Sequence, residues 1–272
     1  PTPGMYRAGL DSTSTGGKIR GAVGDALICA GGIRSALAQQ VAGGIRAPRF
    51  TGQTAWRGIV PAYALPAGTI SRDANAWLGD GRHCVAYYLR GGALINFVAV
   101  EERSEWTSES WTAKGDIKEL RAAFDGWDPA LTALLGACEA TFLWGLFDHA
   151  DIFKWTDGRA ALLGDACHAM LPSMAQAAVQ AVEDAWVLAG CLDDYEAEEA
   201  FQAYFKLRQP HTTAIQEASA KNLTIFHKKS TLEKLAGYGP IWLASKIMPA
   251  VFHKRQDWVY GHDVLGEVPE VI

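Results

Sequence analysis

The hydrophobic and polar positions change period along the chain, and these changes predict three structural regions. A compact apolar run at 25–30 predicts a buried strand, followed by a helical stretch to about Val41. Over 50–155, Trp, Tyr, Val and Ile alternate with turn residues, which is typical of antiparallel strands. From about Met174 onward, the apolar residues recur with helical spacing.

Within these regions the pattern predicts individual elements. We expect a β-hairpin at 6–22, a strand at 51–60, a hairpin of 84–89 with 94–100, and a short helix at 118–124. Two further helices are predicted, one at 195–208 that Pro210 stops and one at 211–226.

The segment 158–192, GRAALLGDACHAMLPSMAQAAVQAVEDAWVLAGCL, combines a short strand (160–163), a Gly164-Asp165 turn and a long helix. A strand that leads through a polar turn to a helix start presents backbone N–H groups to an anion. This arrangement indicates a cofactor or substrate site. The alternative is an ordinary strand-turn-helix crossover, because Gly-Asp turns are common. The Glu183-Asp184 pair interrupts the apolar helix, and we expect it to pair with neighbouring backbone or an arginine.

The sequence GDACHAMLPSMAQAAVQAVEDA resembles the second flavin-contacting motif of the class A FAD-dependent aromatic hydroxylases, the salicylate hydroxylase and 3-hydroxybenzoate 6-hydroxylase group. That motif reads roughly GDAAHPMLPxxAQGAxQAIEDA. The resemblance implies that Asp165 contacts the ribityl chain of FAD and that the helix N-terminus faces the flavin. The cofactor-binding residues that it implies are Asp165, Gly164, Pro172, Gln176 and Arg34. This chain has Ala169 in place of the Pro, and Ala177 in place of a Gly that lets a ligand approach closely.

The resemblance runs from about 21 to 263. It includes helices of the YxxxRxPR type and a C-terminal segment ending in a Tyr-Asp-like turn. Residues 50–155 are similar to the family's substrate domain, in which a mixed sheet covers the flavin ring and forms the pocket for an aromatic substrate. The substrate-binding residues implied are Gln53, Trp56, Arg57, Tyr87, Asn96 and Met170. The candidates for catalytic residues, above all a base that deprotonates a phenol, are His83, Tyr87 and Arg57.

Several of these residues have simpler explanations. Trp56 and Tyr87 are expected to pack in the core, and His83 to lie solvated on a loop. Arg57 is expected to pair with a carboxylate, and the charged run 101–105 to form a solvated edge.

The flavin contacts of the family are incomplete in this chain. No GxGxxG fingerprint of a dinucleotide-binding βαβ unit is present. In the family segment ADLLIGADGIRSAVR, the residue aligned with the second Asp is Gly32, which cannot supply a carboxylate. With Ala177, three contacts are absent or altered. The family's cofactors are FAD and NAD(P)H, and we expect FAD binding by this chain alone to be weak or absent.

Two functional hypotheses follow. In the first, the chain is the substrate-side portion of an FAD- and NAD(P)H-dependent aromatic monooxygenase, with the remainder removed or supplied by another chain. In the second, the chain is a degenerate, cofactor-independent relative, namely an isomerase, cyclase, hydratase or binding protein, for which Met5 is a plausible start. Under both hypotheses, the lone chain is not expected to be a competent flavin hydroxylase.

The predicted fold class is α/β or α+β, with a truncated FAD-binding-type parallel sheet, an antiparallel substrate-domain sheet and C-terminal helices. Residues 1–49 and 156–272 form the predicted reduced FAD-domain-like part, and 50–155 the substrate-binding β-sheet domain. Loss of a βαβ unit is expected to expose Leu27, Ile28, Leu162 and Leu163. This exposed apolar surface predicts a homodimer or a partner chain.

Composition narrows the partners and the compartment. A net charge of −5 over 272 residues, without a basic stripe, excludes a nucleic-acid surface. The five cysteines are scattered and never form a CxxC pair, which predicts free thiols in a reducing compartment and neither disulfides nor a metal site. No apolar run is long enough for a bilayer, and the N-terminus lacks the order of a signal peptide. The chain is therefore predicted to be cytoplasmic, without a membrane partner.

Overall fold

The structure is a computed structural model that describes residues 26–44, 47–106, 113–149, 152–247, 254 and 256–266. The chain divides into two compact units. The first comprises 1–49, 148–220 and 254–272, and the second comprises 50–147 and 221–253. The sequence assigned 221–253 to the first unit. In the structure it groups with 50–147. The backbone N–H of Asp80 donates to the carbonyl of Lys228, and the Lys234 ammonium donates to the Asp80 carboxylate, which links the two segments.

The described elements follow one another in chain order. The strands are β1 (Leu27–Cys29), β2 (Arg49–Pro61), β3 (Asn75–Gly79), β4 (Arg82–Leu89), β5 (Leu94–Glu102), β6 (Lys114–Gly115), β7 (Thr141–Asp148), β8 (Thr156–Asp157) and β9 (Ala160–Leu162). The α-helices are α1 (Ala36–Val41), α2 (Ile117–Ala123), α3 (Pro129–Ala137), α4 (Asp165–His168), α5 (Ala177–Asp194), α6 (Ala197–Phe226), α7 (Thr231–Ile247) and α8 (Asp257–Tyr260). Single 3-10 turns lie at Ala62–Ala64, Arg90–Gly92, Pro172–Met174 and Val264–Gly266.

The predicted fold class is confirmed. In the first unit the strand order is β1-β9-β8, with β1 parallel to β9 and β8 antiparallel to it, so this small sheet is mixed. In the second unit a six-stranded sheet has the order β3-β4-β5-β2-β7-β6. The predicted hairpin of β4 and β5 is present and turns through Arg90–Gly92. The predicted hairpin at 6–22 lies outside the described residues.

The core of the first unit forms where β9, α1, α5 and α6 pack together. Trp155, Phe201 and Tyr204 are the large residues of this cluster, and all are almost fully buried. Leu162 is also fully buried, so the expectation that it is exposed is wrong. Side chains of α5 and α6 cover the face of the short sheet on which Leu162 lies. Ile28 on the edge strand β1 is 47% exposed, as expected.

Helix α6 corrects the sequence analysis, which predicted a stop at Pro210. The helix continues from Ala197 to Phe226 with Pro210 in its interior. Pro210 removes one backbone donor, which alone favours a break. A single stripe of fully buried residues nevertheless crosses the proline, and its packing outweighs the lost hydrogen bond. The stripe consists of Ala200, Phe201, Tyr204, Arg208, Thr212, Ile215 and Ser219.

The five cysteines are free and buried, as the scattered pattern predicted. Burial raises the pKa of the Cys29 thiol to about 11 and raises that of Cys84 further. The thiols are therefore protonated at neutral pH. Among the described helices, none combines the length and the apolar character that a membrane crossing requires.

Candidate functional site

The site in the first unit begins at the turn between β9 and α4. Gly164 has φ 61° and ψ −139°, a backbone conformation that residues with a Cβ rarely adopt. A Cβ added here would lie 3.0 Å from the Cβ of Ala181 on α5. Glycine is therefore required both for the turn and for the close approach of α5. The turn places Asp165 at the start of α4, with an exposed side chain.

The carboxylate of Asp184 binds this turn through a backbone hydrogen bond. Its Oδ2 accepts a hydrogen bond from the backbone N–H of Gly164 at 3.0 Å, and its Oδ1 accepts one from Arg208 Nε at 3.0 Å. The predicted pairing of Glu183-Asp184 with backbone and an arginine is thus confirmed. His168 Nε2 lies 2.5 Å from Oδ2 of the same carboxylate and donates to it. Asp184, His168 and Arg208 are all fully buried.

Arg208 extends the network to the start of α5. Its guanidinium donates to Gln180 Oε1 at 2.6 Å and to Glu183 Oε2 at 2.9 Å. Gln180 Nε2 in turn donates to Gln176 Oε1, at the residue before α5. Buried charges and amides that satisfy one another in this way fix a single local geometry. The turn and the helix start are therefore held by one connected set of bonds.

The charge state of the network follows from its contacts. Burial alone would raise the pKa of Asp184, but the hydrogen bonds and charges of His168 and Arg208 outweigh it and hold that pKa below its usual value. Asp165 is exposed as a residue, but its carboxyl group is partly desolvated, which raises its pKa; the nearby His168 and His149 partly offset this. Asp184 is therefore ionised at neutral pH, where it compensates the buried guanidinium.

The other predicted cofactor-binding residues are distributed around this turn. Pro172 is exposed in a 3-10 turn, and Gln176 is buried at the N-cap of α5. Ala175 between them has φ 54°, so the predicted continuous helix from Met174 begins only at Ala177. No side chain caps the N-terminus of α5. Its first N–H groups and the positive end of the helix dipole are thus available to an anionic or carbonyl group.

The segment before α1 corrects one alignment. Gly32 has φ 74°, the left-handed region that the glycine of a GIRS segment occupies with least strain. The residue in place of the family's Asp is therefore Gly31, one position earlier than the sequence analysis assigned. Arg34 is exposed, and Ser35 caps α1 by accepting from Ala38 N. This chain therefore still lacks the carboxylate of the family's Asp, and the residue in its place is Gly31.

In the second unit, strand alternation sorts the predicted substrate residues onto two faces. Gln53 and Arg57 lie on one face of β2. Asn96 on β5 is opposite both Ile59 and Tyr87, which share that face. Arg57 is exposed, with its guanidinium 5.0 Å from the Trp144 ring centroid, and no carboxylate partner was found for it among the described contacts. Tyr87 is 40% exposed and so is not a core residue.

Trp56 points to the opposite face and is a core residue. It is fully buried among Phe97, Ala99 and the residues of α2 and α3, and its indole N–H donates to Glu101 at 3.0 Å. Trp56 therefore packs in the core, as its simpler explanation predicted. Met170, also assigned to substrate, lies in the first unit, where it packs on the small cluster Met174, Ile215 and Val259.

Comparison with known proteins shows which proteins this chain is similar to. Residues 145–219 match the model of an FAD binding domain. The chain is 38% identical over 203 residues to 3-amino-4-hydroxybenzoate 2-monooxygenase PtnB3 of Streptomyces platensis, an alignment that covers 74% of this chain and 51% of that protein. It is 31% identical over 269 residues to a salicylate hydroxylase of Pseudomonas putida, covering 90% and 60%. The proteins that this chain is most clearly similar to in sequence are therefore aromatic monooxygenases and hydroxylases, and the matched domain model is one that binds FAD.

The fold of this chain is also similar to that of a solved hydroxylase structure. A substrate complex of salicylate hydroxylase superposes with a TM-score of 0.75 at 26% identity, covering 91% of this chain and 65% of that one. The chain spans 51% and 60% of the lengths of the two curated relatives named above. The predicted resemblance is confirmed, and the cofactor-independent alternative is not favoured.

His83 differs from its prediction. It lies on β4, not on a loop, and is 3% exposed. Its Nδ1 is 2.7 Å from Nε2 of His227, whose ring approaches Glu102 at 3.3 Å. The partner lies 144 residues away, so no local pattern signals the pair. Burial, with a smaller contribution from His227, lowers the pKa of His83 to about 3. A neutral, enclosed ring of this kind is a structural residue, and Tyr87 stays the more accessible candidate base.

Part of the charged run at 101–105 is also more buried than expected. Glu101 is 8% exposed and accepts from Trp56 and from Arg103 Nε at 2.7 Å. Arg103 additionally pairs with Glu119. Glu102, Arg103 and Gln53 line an open groove of about 410 Å³ at this end of the sheet. Glu101 and Arg103 therefore tie the sheet to α2. Glu102, Ser104 and Glu105 are exposed, as expected of a solvated edge.

The buried His83 predicts a pH dependence of stability. Below pH 6.5 the unfolded chain protonates this ring, whereas the folded chain excludes the proton until about pH 3. The free energy of unfolding should therefore fall as the pH drops from 6.5, by up to about 1.4 kcal/mol per pH unit for this group. Urea unfolding between pH 7 and 4 measures it. His83→Asn keeps a donor and acceptor but does not titrate, and it should flatten the slope. Equal slopes in both proteins would contradict the prediction.

Proposed function

We propose that this chain is the substrate-side portion of an FAD-dependent aromatic monooxygenase that uses NAD(P)H and O2 to hydroxylate a small aromatic acid. The observation that carries the proposal is the turn at Gly164. It presents the exposed Asp165 carboxylate beside an uncapped helix N-terminus and is held by the buried Asp184 and Arg208. Such a network is costly to bury, so its retention favours a working site over an ordinary crossover.

The described residues fit the ribityl chain and flavin ring of FAD better than they fit its diphosphate. Asp165 is suited to hydrogen-bond ribityl hydroxyls, and the N-terminus of α5 to stabilise negative charge on the flavin ring. Gly31 offers no carboxylate, and no GxGxxG turn is present to grip the diphosphate. When bound, FAD supplies the reduction of O2 by NAD(P)H. The chain's own residues bind and orient the substrate and move its phenolic proton.

The exposed face of the large sheet suits an acidic aromatic substrate. Arg57 offers a guanidinium fixed against Trp144, while Gln53 and Asn96 offer amides and Tyr87 a phenol. Gln53 Oε1 is buried without a hydrogen-bond partner among the described residues, so it can accept a substrate hydroxyl. We assign carboxylate binding to Arg57 and hydroxyl orientation to Gln53, Asn96 and Tyr87.

Flavin selectivity tests the cofactor assignment. Because the ribityl contact is retained and the diphosphate grip is not, the purified chain should bind FAD and riboflavin weakly and within about tenfold of each other. Quenching of flavin fluorescence measures both affinities. Asp165→Asn should weaken both ligands alike. Asp157→Asn, an exposed carboxylate on β8, is the matched control and should change neither. Retention of FAD through desalting would show that the diphosphate grip is present after all, and no flavin binding at all would remove the proposal.

The same samples test the substrate class. Arg57→Met should weaken hydroxybenzoate binding by roughly 10–100-fold, the loss of one charged hydrogen-bonding partner, and leave phenol binding unchanged. Equal losses for both ligands would argue against carboxylate binding at Arg57.

A further inference from the structure

Three side chains of metal-ligating types, from three separate segments of the first unit, lie close together. They are Glu183 on α5, His211 on α6 and His262 just after α8. One donor atom of each lies within 4.8 Å of the donors of the other two, and all three residues are half-buried. The two imidazole rings stack with centroids 3.8 Å apart and planes 21° apart.

His211 is the least satisfied member of this group. Its Nε2 is buried and has no hydrogen-bond partner among the described residues. An unpaired buried polar atom destabilises the fold, and a ligand bound to it would remove that cost. In a neutral imidazole, the lone pair of one ring nitrogen can bind a metal.

We propose that Glu183, His211 and His262 form a binding site for one transition-metal ion of the Zn²⁺ class, with a fourth position open to water. Two imidazoles and one carboxylate are a donor set that proteins use for Zn²⁺. Ligands about 2.0–2.1 Å from a tetrahedral ion lie about 3.4 Å apart. The donors, at up to 4.8 Å, must therefore close by up to about 1.4 Å. Because an imidazole binds a metal ion in the plane of its ring, the His262 ring must also rotate out of its stack with His211.

One of the two histidines departs from the family pattern stated for this region. The YxxxRxPR pattern aligns with Tyr204, Arg208 and Pro210, and its final Arg is His211 here. His262 precedes Asp263 in the C-terminal segment. Metal binding at these residues can be measured in the absence of flavin.

The charged side chains around the proposed site carry a net negative charge, which favours a bound cation. Glu183 and Asp184 carry two negative charges, and Arg208, which contacts both, carries one positive charge. A second three-residue group, Cys167, His168 and Asp184, is less suited to a metal. Both oxygens of Asp184 already accept hydrogen bonds, and burial raises the pKa of Cys167 well above its usual value, so the thiolate form is scarce.

A bound ion would join residues 256–266 to α5 and α6. That segment already contacts α6 through Val259, which packs with Ile215. It also contacts the turn before α5, because the Tyr260 hydroxyl donates to the carbonyl of Met174 at 3.1 Å. The ring of Trp258 meets His211 edge-on at 6.1 Å. Trp fluorescence is therefore expected to change when the ion binds.

The test uses tag-free, metal-stripped protein titrated with Zn²⁺ by calorimetry and with Co²⁺ by visible absorbance. We expect one ion per chain, a higher melting temperature with Zn²⁺, and the absorption of tetrahedral Co²⁺. His262→Asn and His211→Asn should each weaken binding by at least tenfold. His227→Asn, the same substitution in the second unit, and Cys167→Ser should leave the affinity within about twofold.

The proposal would be overturned if the protein did not bind one Zn²⁺ per chain even when it was present in 100-fold excess over any competing chelator. So would binding that survives both His262→Asn and His211→Asn, or binding that Cys167→Ser abolishes. Circular dichroism checks the fold of each variant. If His211→Asn does not fold, His262→Asn decides the outcome, because its ring lies in a peripheral segment outside the helical core.

Discussion

Arg208→Met should lower the free energy of unfolding by about 3–5 kcal/mol, the cost of removing one partner of a buried ion pair. The substitution leaves the fully buried Asp184 with His168 and the Gly164 N–H but without its permanent cation, and it removes the donors to Gln180 and Glu183. Chemical denaturation followed by circular dichroism measures the loss. Since whole proteins have about 5–15 kcal/mol of stability, a variant of this kind is expected to be partly unfolded at 37 °C.

Arg49→Met is the matched control. Arg49 also pairs with a carboxylate, Asp148, at 2.8 Å, but its side chain is 73% exposed. An exposed pair contributes about 0–1 kcal/mol, so this variant should resemble the parent. If Arg208→Met and Arg49→Met lost equal stability, the buried network would have no special role in holding the Gly164 turn.

Gly164→Ala should lower the free energy of unfolding by about 2–3 kcal/mol, as expected for a residue forced into a sparsely populated conformation. The added methyl group also meets the Cβ of Ala181 at 3.0 Å and pushes α5 away from the turn. Because the N–H of Gly164 donates to Asp184, the shift is transmitted to the whole network. The Asp165 carboxylate should move with it, and the residual flavin affinity should fall below detection in the fluorescence assay.

Gly158→Ala separates strain from close packing. Gly158 also has a positive φ, 54°, but no heavy atom lies within 4 Å of the Cβ it would gain. We expect it to cost about 1 kcal/mol and to leave flavin binding unchanged. Loss of flavin affinity in Gly158→Ala as well would point to general destabilisation of the small sheet.

The order of elements could be predicted from the sequence because strand and helix periods differ. Alternation along β2 also separates Gln53 and Arg57 from Trp56, since residues an even number apart share a face. Their neighbours across the sheet could not be predicted in this way. That Asn96 lies between Ile59 and Tyr87 depends on strand register, which long-range packing sets.

Charges in an apolar helix were the most informative local signal. Glu183-Asp184 required partners, and backbone and an arginine were the expected ones. That the arginine is Arg208, and that His168 joins it, depends on how α6 packs. Pro210 gave a misleading signal for the same reason, because the buried stripe that crosses it is formed by tertiary contacts. The contact of His83 with His227 was not predicted, because the two residues are 144 positions apart in the chain.

The buried cysteines make the chain a reporter of its own unfolding. Cys29, Cys167 and Cys191 belong to the first unit, and Cys84 and Cys138 to the second. Protonated thiols without solvent access react slowly with alkylating reagents, so each becomes labelled only when its surroundings open. Mass spectrometry of peptides after a timed pulse of reagent would thus assign an opening rate to each unit separately, without the introduction of any probe.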